Sequence, residues 1–128
     1  MKLLLDTHTF IWWDSAPTKL SQKALTLCED LTNTRMLSVV SIWEMQIKLQ
    51  IGKLKFNISL AEVIESQQQV NKLEILPVTL SHVLELDNLP PHHKDPFDRL
   101  LIAQAKVEDA VLISCDPIFS QYPVNLEW

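Results

Sequence analysis

The chain has 128 residues and 47% apolar content, one domain's worth, and should bury roughly two-thirds of the surface its unfolded form exposes. Eleven Lys and Arg against sixteen Asp and Glu leave a formal charge of −5. Taken at face value, that balance excludes a basic nucleic-acid module and a polybasic membrane-surface protein, and the apolar content excludes a disordered acidic tail.

The apolar runs alternate in kind along the chain. Lys2 to Leu5 is short and continuous, as a strand buried on both faces would be. Thr18 to Cys28 has helical spacing, with Leu20, Ala24, Leu27 and Cys28 on one stripe. Arg35 to Val40 reads as a second buried strand, followed by a helix from about Ile42 to Leu49. Ser59 to Lys72 is an amphipathic helix, Glu74 to Val78 a strand, and Ser81 to Leu86 a short helix. Pro90 and Pro91 mark a loop ending at Asp95; Pro96 then opens a helix running to Lys106, at the position where proline is best tolerated. Ala110 to Ser114 is a fourth strand, Asp116 to Gln121 a turn or short helix, and Val124 to Leu126 a last strand. Strands separated by helices imply right-handed crossovers, hence one α/β domain over 1–128 with a mostly parallel sheet and helices on both faces.

Several classes drop out. Asp6 ends the opening leucine run too early for a signal peptide, and no stretch approaches a membrane span. Cys28 and Cys115 lack partners at ligand spacing, so neither a disulfide framework nor a zinc site is expected, and a reducing cytoplasm is the expected compartment. With Gly52 the only glycine, phosphate-cradling loops are excluded. No G-x-S-x-G elbow or Cys-His arrangement is present.

The acids are placed unevenly. Asp6 follows the first strand in LLLDTH, Glu44 lies in SVVSIWE, Asp95 and Asp98 flank a helix start in KDPFDRLLIAQA, and Asp116 follows the fourth strand in VLISCDP. Singly, each has a structural explanation. Ser41-x-x-Glu44 has the form of a capping box, Asp95-Pro96 and Asp116-Pro117 of an N-cap and its proline, and Asp6 of a cap on a helix through Phe10. Together they mean more, because a parallel sheet gathers the carboxyl ends of its strands along one edge, where ligands bind. Two carboxylates about 5 Å apart repel by roughly 3 kcal/mol at an effective dielectric near 20. Several such pairs need a cation, and all-oxygen donors suit Mg²⁺ or Mn²⁺. A carboxylate metal site without a phosphate loop points to hydrolysis of phosphate esters. A phospho-acceptor receiver domain also sets acids over Mg²⁺. It needs adjacent acids after its first strand and a lysine after its last, and here Asp6 stands alone and no Lys follows Asp116.

LLLDTHTFIWW, SVVSIWEMQIKLQIGKL, HHKDPFDRLLIAQA and LISCDPIF, in this order and spacing, resemble a PIN domain, and more closely the ribonuclease toxins of VapBC-type toxin–antitoxin systems. The resemblance covers essentially the whole chain. It implies a three-layer α/β/α sandwich and Mg²⁺- or Mn²⁺-dependent endonucleolytic cleavage of RNA. It also implies a cognate antitoxin partner, a homodimer and a cytoplasmic location without membrane association. Carried over by position, Asp6, Glu44, Asp98 and Asp116 are the catalytic, metal-binding acids, with Asp6 and Asp98 as the direct ligands expected first. Thr7 and Ser114 are supporting hydroxyls, and Asp95 is either a further ligand or only a helix cap. Lys48, Lys53, Lys55, His92, His93 and Lys94 are candidates to line an RNA groove, against the alternative of a solvated surface, and Arg99 is a further candidate, against the alternative of pairing with a neighbouring carboxylate. Trp12, Trp13 and Trp43 are divided between core packing and a protein interface.

Overall fold

The computed structural model describes residues 1–92 and 94–128. Five strands form one sheet: β1 (Lys2–Leu5), β2 (Thr34–Ser38), β3 (Glu74–Leu76), β4 (Val111–Ile113) and β5 (Leu126–Glu127). Their order is β3-β2-β1-β4-β5, and every pairing is parallel. Between them run the helices α1 (Thr7–Ser15), α2 (Gln22–Glu29), α3 (Val39–Gln50), α4 (Leu60–Asn71), α5 (Leu80–Glu85) and α6 (Pro96–Val107), with short 3₁₀ turns at Pro17–Lys19, Leu86–Asn88 and Pro117–Gln121.

Strand alternation explains the three layers. Leu3 and Leu5 point to one face, where Leu37 and Ile113 join them against Phe10, Ala24, Met45 and Val63 from α1 to α4. Leu4 points to the other face, with Met36 and Leu112, against Leu101, Ile102 and Ala105 of α6. All three leucines of β1 are fully buried, each worth about 2 kcal/mol relative to exposure. The expected α/β sandwich is therefore the observed fold. Among the described residues no helix is long and apolar enough to cross a membrane.

Two expectations need correction at the junction of β2 and α3. Val39 and Val40, read as strand, are the first turn of α3, because the Ser38 side chain caps that helix by accepting from the Val40 N–H at 3.0 Å. The Ser41–Glu44 capping box therefore does not form. Among the described residues the buried Ser41 hydroxyl makes no hydrogen bond, and Glu44 sits well inside the helix. Capping boxes form instead at the start of α4, from Ser59 with Glu62, and at the start of α5, from Thr79 with His82. In addition, α1 runs on to Ser15, and the Thr18–Cys28 stripe splits into a 3₁₀ turn and α2.

The topology prepares a crevice. From β1 the chain moves outward to β2 and β3, then returns to the far side of β1 as β4. After β1 it passes to the α1 face, whereas after β4 the 3₁₀ turn buries Phe119 on the α6 face. The two connections diverge, and that is the point in a parallel sheet where ligands bind. Because α6 leads into the parallel strand β4, it runs back against the sheet and starts at this same edge.

Candidate metal centre

Asp6 stands at the crevice as the N-cap of α1 and is 6% exposed. One carboxylate oxygen accepts the Thr9 N–H at 2.8 Å, and the other accepts the Ser114 hydroxyl from the end of β4. Burial pushes its carboxyl above the usual 3.8, against the lowering effect of the Ser114 and Thr9 hydrogen bonds and the nearby His8. The Ser114 Oγ also accepts the Asp116 N–H at 3.1 Å, and Asp116 caps the following 3₁₀ turn through Ile118 N–H. One hydroxyl thus links the acids after β1 and β4.

Glu44 is half-buried on α3. The Thr7 hydroxyl donates to its Oε1 at 2.7 Å, and the Lys48 ammonium lies 3.1 Å from its Oε2. Asp95 is the N-cap of α6, accepting the Phe97 N–H at 2.9 Å, and Asp98 lies in the first turn of that helix. Asp6, Thr7, Glu44, Lys48, Asp95, Asp98 and Asp116 line one cleft of about 310 Å³. His8 and Phe119 line it as well. The four expected acids, drawn from positions spread over 110 residues, are thus brought together. A larger cavity of about 440 Å³ beside α4 is lined by Asp14, Lys55 and Phe56 and includes none of them.

The donor set fits a hard divalent ion: five carboxylates and a hydroxyl face the cleft, with one lysine against them. Yet among the described residues no three acidic, His or Cys side chains converge closely enough to hold an ion as they stand. Glu44 is held by Thr7 and Lys48 in this arrangement.

The candidate RNA contacts scatter. Lys48 is in the cleft but paired with Glu44, whereas Lys53, Lys94 and His92 are exposed and are not among its lining residues. Lys55 belongs to the other cavity, and His93 lies outside the described residues. Arg99 braces the loop that leads into α6, its guanidinium donating to the Pro90 and Leu86 carbonyls at 3.1 and 3.3 Å. Trp12 and Trp13 pack half-buried against the core, but Trp43 is 60% exposed, its ring 5.0 Å from that of Phe97. Sequence reasoning missed Thr9, whose N–H holds Asp6 and whose hydroxyl donates to the Ile113 carbonyl at 2.9 Å. The Asp-x-x-Thr spacing was the available signal.

With that geometry in place, comparison with known proteins decides the family. The PIN domain family matches residues 3–125. The chain is a PIN domain. No curated protein matches it in sequence. Among solved structures, it is similar to a chain of VapBC2 from Rickettsia felis bound to a promoter DNA fragment, at 19% identity and a TM-score of 0.75, covering 99% of this chain and 98% of that one. It is also similar to FitAcB from Neisseria gonorrhoeae, at 17% identity and a TM-score of 0.67, with 97% and 95% covered. A third is VapBC-1 from nontypeable Haemophilus influenzae, at 15% identity and a TM-score of 0.63, with 99% and 97% covered. At these identities the likeness establishes the shared fold. PIN domains as a family are nucleases that generally depend on divalent metal ions.

Proposed function

We propose that this PIN domain is a Mg²⁺- or Mn²⁺-dependent endoribonuclease and the toxin of a toxin–antitoxin pair. The observation that carries the reading is the single cleft at the sheet's switch point, lined by Asp6, Glu44, Asp98 and Asp116. Asp6 and Asp98 would be direct ligands, with Glu44 and Asp116 completing the site. A bound divalent ion would supply an activated water and neutralise charge building on the phosphate. Within the chain, Ser114 and Thr9 hold Asp6 in one orientation, and Thr7 does the same for Glu44. Asp95 already spends a carboxylate oxygen on the Phe97 N–H, which favours its role as a cap.

Two further features support protein partners. Leu80, Val83 and Leu84 on α5, and Val39 with Trp43 on α3, leave apolar surface uncovered, as a homodimer or antitoxin contact would require. The acid cleft also suits a basic antitoxin segment, above all one presenting an arginine. One solved structure similar to this chain is described as a toxin–antitoxin complex from Klebsiella pneumoniae.

The test is cleavage of single-stranded and structured RNA with Mg²⁺ or Mn²⁺, with EDTA, and by Asp98→Asn. Cleavage that needs the ion and Asp98 is the expected result; equal cleavage in all conditions overturns the reading. Co-purification with the product of a neighbouring small gene, and sedimentation of the complex, test the partners.

A further inference from the structure

Both carboxylate oxygens of Glu44 are engaged by side chains of the protein. The Thr7 hydroxyl holds Oε1 and the Lys48 ammonium holds Oε2. Lys48 is one helical turn beyond Glu44 on α3, and its side chain is 29% exposed where that of Glu44 is 16% exposed. An i,i+4 pair of this kind adds little to the stability of a helix. Its position is therefore more informative than its contribution to stability: both groups line the cleft with Asp6, Asp98 and Asp116. The lysine brings positive charge among the carboxylates that share this cleft.

We propose that Lys48 is a resident counter-cation of the cleft, holding Glu44 in the metal-free protein and competing with the divalent ion for it. The lysine makes the ion-free cleft tolerable and, for the same reason, weakens the ion's grip. A unit positive charge a few ångströms from a divalent ion opposes its binding even at high effective dielectric. Metal occupancy is thereby set by a side chain that is not itself a ligand. The inference rests on the metal-dependent reading given above.

The test is Mn²⁺ binding by calorimetry, with no RNA present, to the full chain and to Lys48→Met, Lys48→Arg, Glu44→Gln and the Lys48→Met, Glu44→Gln double variant. Circular dichroism and thermal unfolding confirm that each is folded. Lys48→Met keeps the length and helix preference of the side chain and removes the charge. It is expected to bind Mn²⁺ on the order of tenfold more tightly. Lys48→Arg, which keeps the charge, should bind like the wild type. In the Glu44→Gln background most of the gain should disappear, because the two groups are coupled. Unchanged or weakened affinity in Lys48→Met would overturn the proposal, leaving Lys48 as a support that merely orients Glu44. A wild-type chain that binds no Mn²⁺ would overturn the metal-dependent reading as well, so the two failures are distinguishable.

Discussion

The two ends of the sheet carry charge in opposite ways. At the amino end, charges are neutralised locally and hold the fold together. Arg35, 3% exposed, enters from β2 and donates to the Cys28 and Asp30 carbonyls at the end of α2 and to the Asn71 carbonyl at the end of α4. The fully buried His82 joins Glu108 at 2.8 Å, tying α5 to the end of α6, and Lys2 lies 3.9 Å from the same glutamate. Arg35 and Lys2, beside helix C-termini, meet the negative end of each dipole. At the carboxyl end, five acids face one cleft beside a single lysine, and burial raises the Asp6 carboxyl above its usual range. One end is arranged for stability. The other is held in tension, and an ion would relieve it.

Asp6→Asn should break the contrast most sharply. Cleavage is expected to fall on the order of a thousandfold or more, while metal-free stability at neutral pH rises because a buried charge is gone. The raised native pKa sets the sign. An acid that holds its proton more tightly when folded favours folding fully below 3.8, and that contribution is lost as pH rises through the native value. In EDTA, the stability gap between Asp6→Asn and the wild type should therefore be widest at neutral pH and close on acidification. Urea unfolding at several pH values measures it. A gap that widens in acid would show the Asp6 carboxylate to be favourably held.

Arg35→Met should do the reverse. Three carbonyls lose a charged donor, and stability is expected to drop by about 3 kcal/mol, with cleavage per folded molecule unchanged. Denaturant midpoints and active-site titration separate the two readouts. Ser38→Ala is the smallest effect, about 1 kcal/mol from the lost cap of α3, and sharpens the comparison because its helix carries Glu44. A stability loss without any change in Mn²⁺ affinity would show that α3 holds its position without the cap.

The sequence was most informative where pattern and topology act together. The leucine run of β1, the periodicity of α6 and the Asp95-Pro96 start are local signals, and the structure keeps each of them. Asp6, Asp98 and Asp116 could be gathered from position, since a parallel sheet collects strand ends and the starts of the helices between them along one edge, whereas Glu44, well inside α3, rested on the family resemblance. The β2–α3 junction failed because β-branched Val39 and Val40 look like strand, and only the Ser38 cap turns them into helix. The contacts of Arg99 and Lys48 were not legible for a different reason. Sequence gives their charge, while their partners, two carbonyls from the preceding loop and a glutamate one turn away, depend on side-chain direction. Arg35, the main tie of the amino end, gave no signal beyond being a charge in a strand.

The bridge from Ser114 to Asp6 spans 108 positions of sequence. A chain made from its amino end can form β1, α1 and β2 early, yet β4 has to be synthesised and has to dock beside β1 before Asp6 acquires its hydroxyl partner or Asp116 its place. Pairings across such separations are slow, because the loop must close before any contact rewards it. The cleft is therefore complete only once β4 has docked beside β1.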